Sequence, residues 1–175
     1  GVQDEMDLFV HLSEGRVLPP MITQLTGITP QQLEQEGVEK WEAAAQFTAM
    51  ISHPSTLLVA YNAQFDLCFL YYFLARLELA DALRGVKMLD AMTVYKDRRQ
   101  YPHKLQSAID TYGVPTQNTH RAVDDAKAAL EVLEAMGREE DDLLEYVNLF
   151  GYNPKYGVSG PRISSITYRP QGRFT

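Results

Sequence analysis

Three residues of this chain have side chains and positions that suit metal binding or proton transfer: Asp66, His120 and Asp125. Asp66 lies among the apolar residues of segment 63–78, and Asp125 lies in a second segment whose apolar residues recur at helical spacing. An unpaired buried carboxylate is costly, so an acid in such a place is normally neutralised by a cation, a hydrogen-bond network or a metal ion. Two such acids are therefore expected to share one positive site.

Asp125 interrupts the apolar stripe of a helix predicted over residues 121–137. The stripe has the i, i+3/i+4 spacing of a face that packs on a core, and it consists of Ala122, Ala126, Ala129, Leu130 and Leu133. Asp124 falls instead on the opposite, solvated face with Lys127. His120 stands at the helix entrance, and an imidazole with an unperturbed pKa of ~6.5 can accept a proton from water near neutral pH.

Each of these residues also has a purely structural interpretation. A lone internal Asp commonly caps a helix or pairs with Arg or Lys, and a lone His at a helix start is commonly a cap or a surface residue. A structural polar network of Asp66, His120 and Asp125 is therefore an alternative. The combination of two acids with one histidine favours a functional site.

The elements that must position these residues alternate between strands and helices. Apolar or alternating runs predict strands over 6–12, 56–63 and 87–95. Capping signals and helical spacing predict helices that start at Thr29 or cover about 40–51, 63–78, 104–112 and 121–137, with Gly113 and Gly137 ending the last two. Asn62 is expected to cap the helix over 63–78, which is apolar almost all round and should be packed on most sides. The alternation predicts an α/β layered domain.

Composition limits the class of protein. The 175 residues fit one domain, and 45% apolar with 22% charged residues is typical of a folded globular chain. The single cysteine, Cys68, and the lack of an apolar run of ~20 residues favour a cytoplasmic protein with no membrane partner. The net charge of −7 argues against a protein that holds long duplexes by neutralising many phosphates.

Residues 146–175 differ from residues 1–145 in their charge. The acids stop at Glu145, and the basic residues that follow are Lys155, Arg162, Arg169 and Arg173. We predict a domain over 1–145 and a Tyr/Gly-rich basic tail over 146–175 that docks on it, with a terminal hairpin built from ISSITY. A flexible arm that touches nucleic acid through Arg and Tyr is the alternative.

Two segments resemble motifs of the DEDDh family of 3′→5′ exonucleases. YNAQFDLCFL (61–70) is similar to the second motif, NxxFDxxFL, and HRAVDDAKAAL (120–130) is similar to the third, HxAxxD. LTGIT (25–29) resembles a loop of the same family, which includes the proofreading subunit of bacterial DNA polymerase III, ribonuclease T and oligoribonuclease. The resemblance covers residues 5–137 and implies a ribonuclease H-like three-layer fold with a mixed central sheet.

The resemblance also implies roles for individual residues. Asp66 and Asp125 would bind Mg²⁺ or Mn²⁺, with two ions in the complete family site, and His120 would be the general base. Four further residues are implied to contact the terminal nucleotide: Leu25, Thr26, Asn62 and Phe65. The implied reaction is hydrolysis of phosphodiester bonds at a single-stranded DNA or RNA 3′ end, releasing nucleoside monophosphates. It would serve proofreading, repair or RNA trimming, with a DNA polymerase as a further partner.

The first motif of the family, DxETTG at the end of a strand, has no counterpart in this chain. Asp4, Glu5 and Asp7 are not expected to replace its two metal ligands, because they lead into an alternating segment instead of following a buried strand. We therefore expect an N-terminally incomplete domain that lacks its first strands and binds a second ion poorly, with weak or no activity as the consequence. A catalytically inactive nucleic-acid- or polymerase-binding module of the same fold is the alternative.

Overall fold

The computed structural model describes residues 1–172, which contain seven α-helices and four short strands joined by loops. The helices are α1 (Pro20–Thr26), α2 (Pro30–Glu36), α3 (Lys40–Met50), α4 (Ala63–Ala75), α5 (Ala91–Arg98), α6 (Leu105–Tyr112) and α7 (Ala122–Glu139). The strands are β1 (Leu57–Ala60), β2 (Lys87–Asp90), β3 (Leu149–Tyr152) and β4 (Thr167–Pro170). Short 3-10 turns cover Ala80–Leu83 and Leu143–Tyr146. Strands and helices alternate, so the predicted α/β class is confirmed.

The strands form two small parallel sheets. β1 pairs with β2 in a register that places Ala60 opposite Asp90, and β3 pairs with β4. β3 begins beside β2, because the backbone N–H of Asn148 donates to the carbonyl of Met88 at 2.7 Å. The prediction of a mixed central sheet is wrong for residues 1–172, where all strand pairs are parallel. Parallel strands bring their carboxyl ends to one edge, which is where the site described below is built.

Two predicted strands are wrong in extent. Over residues 6–12 the pairing is a single bridge from Val10 to Val38. No strand of greater length lies beside this segment among the described residues. Over residues 87–95 the strand stops at Asp90, because the side chain of Asp90 accepts a hydrogen bond from the N–H of Met92 and starts α5 there. The strand predicted over 56–63 is confirmed with shorter bounds.

Two helix boundaries lie where the capping residues in the sequence predict them. Thr29 and Gln32 form a capping box at the start of α2, and Gly113 ends α6 in a left-handed conformation with φ of 60°. Gly137 does not end α7, which continues to Glu139. α1 is a helix that was not predicted; it begins at Pro20, whose fixed φ suits a first helical position.

The main core lies between β2, α5, α6 and α7. α7 contributes a buried face made of Ala128, Ala129, Val132, Leu133 and Met136. Only part of the predicted stripe is buried, because Ala122, Ala126 and Leu130 lie exposed along a groove instead. The helix thus packs with a face that is rotated from the predicted one.

The groove is about 1060 Å³ in volume and runs between α3, α4, α7 and residues 2–10. Phe65 on α4 lines it with 70% of its surface exposed, and Phe69 and Tyr72 are also exposed. The prediction that α4 is packed on most sides is therefore wrong. β1 lies close by, and its backbone makes no hydrogen bond to any described segment other than its own pairing with β2.

The described part of the tail packs beneath α4. Phe150 and Ile166 are buried in a second apolar cluster, and the hydroxyl of Tyr168 donates to Oε1 of Gln64 at 2.6 Å. The predicted terminal hairpin is wrong, because β4 runs parallel to β3. Arg173, one of the basic residues of the predicted tail, lies outside the described residues. Among residues 1–172 we find no helix with the length and apolar character needed to cross a membrane.

Candidate functional site

Asp90 ties together the two strand-to-helix turns at the carboxyl edge of the first sheet. Its side chain is 2% exposed, and Oδ1 accepts hydrogen bonds from the N–H groups of Asn62 at 2.8 Å, Ala63 at 3.2 Å and Met92 at 3.1 Å. Oδ2 accepts the hydroxyl of Thr93 at 2.7 Å. Burial raises the pKa of Asp90 and these hydrogen bonds lower it. The buried carboxyl group thereby fixes where α4 and α5 begin.

Asn62 precedes α4 in a left-handed backbone conformation with φ of 69°, which asparagine tolerates better than most residues. Asn62 occupies the N-cap position of α4 as predicted, but its side chain makes no capping hydrogen bond. Asp90 supplies that acceptor from the neighbouring strand instead. The side chain of Asn62 is left exposed at the rim of a second cleft.

Asp66 lies in the first turn of α4, where a negative charge is favoured by the helix dipole. Desolvation and, secondly, the negative charge of Asp90 nevertheless raise the pKa of its carboxyl group to about 6. The residue as a whole is exposed, so a ligand can approach it from solvent. Asp66 is thus an accessible acid whose ionised form has a like-charged neighbour and would be stabilised by a cation.

Asp125 and His120 lie together at the start of α7. Oδ1 of Asp125 is buried and has no hydrogen bond of normal geometry among the described residues. The backbone of His120 and of Thr119 lies close enough to the carboxyl group to lower its pKa. Burial raises the pKa of Asp125, and the charge of a protonated His120 lowers it. The side chain of His120 is exposed, and its backbone has a φ of 60°. The backbone N–H of His120 donates a hydrogen bond to Oδ1 of Asn118 at 3.2 Å. The loop therefore presents an imidazole to solvent beside a carboxylate oxygen that lacks a hydrogen bond of normal geometry.

These acids fit a hard divalent cation in part. Among residues 1–172 no group of three His, Cys, Asp or Glu side chains is close enough to hold a metal ion by itself. Mg²⁺, however, is often held by only one or two carboxylates, with water and substrate phosphate completing its shell. The bare Oδ1 of Asp125 and the raised pKa of Asp66 are both features that such an ion would relieve.

The other residues implied to contact the terminal nucleotide lie in different places. Leu25 is 51% exposed near the end of α1, whereas the hydroxyl of Thr26 donates to the carbonyl of Ile22 at 2.8 Å and accepts from the N–H of Ile28 at 3.1 Å. Phe65 faces the large groove. Leu25 and Thr26 line neither this groove nor the second cleft.

The acids near the N-terminus are engaged by basic residues of the α7 region. Lys127 Nζ lies 2.7 Å from Oε1 of Glu5, and the guanidinium of Arg121 lies 3.9 Å from Oδ2 of Asp7. Asp4 accepts the N–H of Glu5 at 2.9 Å. The carboxylates of Glu5 and Asp7 thus face cations of this chain, and whether they can bind a metal ion stays a prediction.

Asp90 was missed as a site residue at the level of sequence. A signal for it was present, because an Asp that ends an apolar strand and is followed three residues later by Thr93 is a typical helix start. What the signal did not reveal was its reach to Asn62 and Ala63, which depends on the pairing of β1 with β2.

Comparisons with known proteins agree on one family. A family model described as an exonuclease of the RNase T group matches residues 1–133. The chain is 30% identical over 143 residues to the PolC-type DNA polymerase III of Clostridium perfringens (strain 13 / Type A), covering 79% of this chain and 9% of that protein. It is 28% identical over 123 residues to the DNA polymerase III subunit epsilon of Treponema pallidum (strain Nichols), covering 69% of this chain and 56% of the relative. The chain therefore spans only part of the length of these relatives.

Solved structures show the same fold. Escherichia coli Exonuclease I in complex with a dT13 oligonucleotide matches with a TM-score of 0.69 at 18% identity, covering 78% of this chain and 34% of that chain. The structure of the yeast NOT1 MIF4G domain co-crystallised with CAF1 matches with a TM-score of 0.54 at 15% identity, covering 74% of this chain and 56% of the matched chain. At these identities the likeness concerns the fold alone.

Proposed function

This chain belongs to the RNase T, or DEDDh, family of exonucleases, and from that premise we propose that it is a metal-dependent 3′→5′ exonuclease. Its substrate is the 3′ end of single-stranded DNA or RNA, and its product is a nucleoside monophosphate. The observation that carries the proposal is the proximity of an exposed His120 to Asp125, whose buried Oδ1 has no hydrogen-bond partner of normal geometry among the described residues. Members of this family typically depend on a metal ion.

In the proposed reaction His120 accepts a proton from the attacking water through its imidazole. The water oxygen forms a bond to the terminal phosphorus, the bond from phosphorus to the preceding 3′ oxygen breaks, and that oxygen takes up a proton. Asp125 stabilises the imidazolium that His120 becomes. Asp66 and Asp125 hold Mg²⁺ or Mn²⁺, which when bound supplies positive charge against the charge developing on the phosphate oxygens.

Contacts to the terminal nucleotide belong to the same proposal. Leu25 and Phe65 offer exposed apolar or aromatic surface on which any base can stack, which suits removal of nucleotides of every sequence. Asn62 directly precedes the first turn of α4, which carries Phe65, and its side chain makes no capping hydrogen bond, so its amide is free to meet a sugar or a base. Thr26 is the weakest of the four, because its hydroxyl already closes the end of α1.

The wider context is proposed from the relatives and from packing. A DNA polymerase is proposed as a partner because both curated relatives bear the name of DNA polymerase III. Residues 1–145 are proposed as the exonuclease domain and 146–175 as a tail that docks on it. The hydrogen bonds from Gln64 Nε2 to the carbonyls of Ser159 at 2.8 Å and Pro161 at 2.9 Å support that docking. A cytoplasmic location completes the proposal.

A second candidate function is a catalytically inactive module that binds nucleic acid or a polymerase. The observation that favours it is that no three metal-binding side chains cluster within residues 1–172. Such a module would keep the fold and the single-strand binding while lacking hydrolysis.

One assay separates these two functions. The purified chain is incubated with 5′-labelled single-stranded DNA and RNA in Mn²⁺, in Mg²⁺ or in excess chelator, beside the variants Asp66→Asn, Asp125→Asn and Asp124→Asn. Because a domain without its first motif is expected to bind a second ion poorly, we expect weak ladders, shortened from the 3′ end, that chelator abolishes, that the first two variants lose and that Asp124→Asn retains. Oligonucleotide binding without ladders in any metal would replace the exonuclease by the binding module. Absence of both binding and ladders would refute both functions.

A further inference from the structure

A second cleft, about 560 Å³ in volume, opens where β1 ends. This volume lies within the ~300–1,000 Å³ of typical ligand pockets. Side chains that can bind an anionic or aromatic ligand line much of it, namely Asn62, Lys96, Tyr101, Lys104, Asn153 and Tyr156. None of the described residues that line it is an acid. In a chain with a net charge of −7, this is a locally basic surface.

The two lysines of the cleft are available for a ligand. Neither Lys96 nor Lys104 forms an ion pair with a carboxylate of the described chain, whereas Arg98, Arg99 and Lys127 all do. Burial lowers the pKa of Lys96, and among the described residues the acid that opposes this is Asp90, which is buried and already accepts four hydrogen bonds. Two cations without partners at one cleft favour an anion with more than one negative group.

Two tyrosines of the cleft offer open ring faces. Tyr101 and Tyr156 are each 75% exposed, which is unusual for side chains of this size. The Lys155 ammonium lies 5.2 Å from the centre of the Tyr156 ring and adds a third positive charge nearby. Aromatic rings beside unpaired cations are the features by which proteins hold single-stranded nucleic acid, through stacking on bases and contact with phosphates.

We propose that this cleft binds the nucleotides that precede the 3′-terminal one in a single strand. Lys96 and Lys104 contact their phosphates, and Tyr101 and Tyr156 stack on their bases. The placement rests on the proposed function and on Asn62, which lines the cleft and also directly precedes the α4 turn that carries Asp66. The rim of this cleft therefore lies within about one helical turn of chain from Asp66, close enough for the preceding nucleotides of the same strand.

Binding of oligonucleotides of increasing length tests the cleft without requiring cleavage. Fluorescently labelled oligo-dT of two and eight nucleotides is titrated with the full chain in chelator, and fluorescence anisotropy is recorded from low to moderate salt. The variants are Lys96→Gln/Lys104→Gln, Tyr101→Ala and, as a matched control for loss of charge, Lys87→Gln, which removes an exposed lysine of β2. Circular dichroism verifies that each variant is folded.

We expect the wild-type chain to bind the octamer more tightly than the dinucleotide. The double lysine variant should lose about tenfold in octamer affinity and about 1.4 in the slope of log K against log salt, since each phosphate contact in a single strand contributes about 0.7. Tyr101→Ala should lose about five- to tenfold through one lost stacking contact. Lys87→Gln should bind like the wild type.

The outcomes separate this proposal from the proposed function. Octamer binding that depends on Lys96 and Lys104, in a chain that yields no ladder, retains the cleft and removes the nuclease. A ladder together with lysine-independent binding retains the nuclease and removes the cleft. Octamer binding no tighter than dinucleotide binding, or no measurable binding at all, also overturns the cleft.

Discussion

The side chain of Asp90 accepts a hydrogen bond from the backbone N–H of Asn62 at 2.8 Å, across 28 residues of sequence. This contact joins the end of β2 to the start of α4, and α4 carries Asp66 one turn later. Asp90, which is not a candidate metal ligand, thus sets the position of Asp66, which is one. Asp90 is a positioning residue for the proposed site.

Replacing Asp90 by alanine should destabilise the fold by about 3 kcal/mol, because it leaves buried N–H donors unsatisfied at about 1–3 kcal/mol each. Urea unfolding measures this as a fall in midpoint with an unchanged slope. The control is Asp81→Ala, which removes an exposed acid paired only with Arg84. Equal effects of the two substitutions would show that the hydrogen bonds of Asp90 contribute little.

The raised pKa of Asp66 predicts a stability that depends on pH. Between its usual value of 3.8 and about 6 the folded chain holds a proton that the unfolded chain releases, so ionisation of Asp66 opposes folding as pH rises through this window. Asp66→Asn should therefore be more stable than the wild type at pH 7.5 and equal to it near pH 4. Because Asp66 is largely exposed, screening by water should limit the gain to about 1 kcal/mol. Thermal unfolding at both pH values checks this, and a gain of the same size at pH 4 would contradict it.

Divalent metal should stabilise the wild-type chain and not its site variants. An ion that binds only the folded state adds about 2.7 kcal/mol at a hundred times its dissociation constant. Melting temperatures with and without Mn²⁺ should therefore rise for the wild type and for Asp124→Asn but not for Asp125→Asn. Asp124 is the matched control, since it sits beside Asp125 but accepts the hydroxyl of Thr119 at 2.7 Å. A shift that Asp125→Asn retains would place the ion elsewhere.

Removal of the His120 imidazole should slow hydrolysis about 10²- to 10⁴-fold, the usual contribution of a general base. His120→Ala should leave oligonucleotide binding close to that of the wild type, because the imidazole acts on water. Single-turnover rates in saturating Mn²⁺ measure the effect, with His53→Ala as the histidine control. If His120→Ala keeps more than a tenth of the wild-type rate, and this rate does not depend on pH, proton transfer by His120 is contradicted.

Signals carried by a few adjacent residues predicted structure well. The Thr29–Gln32 capping box and the αL glycine at Gly113 are each decided within one turn of chain, and both are present as predicted. The proximity of His120 to Asp125 likewise follows from their spacing at the start of a helix. Local sequence is sufficient where local hydrogen bonds determine the outcome.

Features that depend on distant partners were not predictable in the same way. The strand predicted over 87–95 is too long because the Asp90 side chain binds the backbone after it and starts a helix. The strand predicted over 6–12 is reduced to a bridge because Val38 is its only bridging partner among the described residues. The like-charge relation of Asp66 with Asp90 arises from the register of Ala60 against Asp90. The alternation of apolar and polar residues within one segment does not show which strand will pair with that segment.

Two features bear on how this chain will behave at high concentration: β1 has backbone groups that make no hydrogen bond to a described residue outside its pairing with β2, and α4 leaves aromatic rings exposed. Unpaired strand edges and exposed apolar surface are both starting points for association between molecules. Preparations should therefore be free of turbidity when dilute and cloud on concentration, and mild detergent should reverse the clouding.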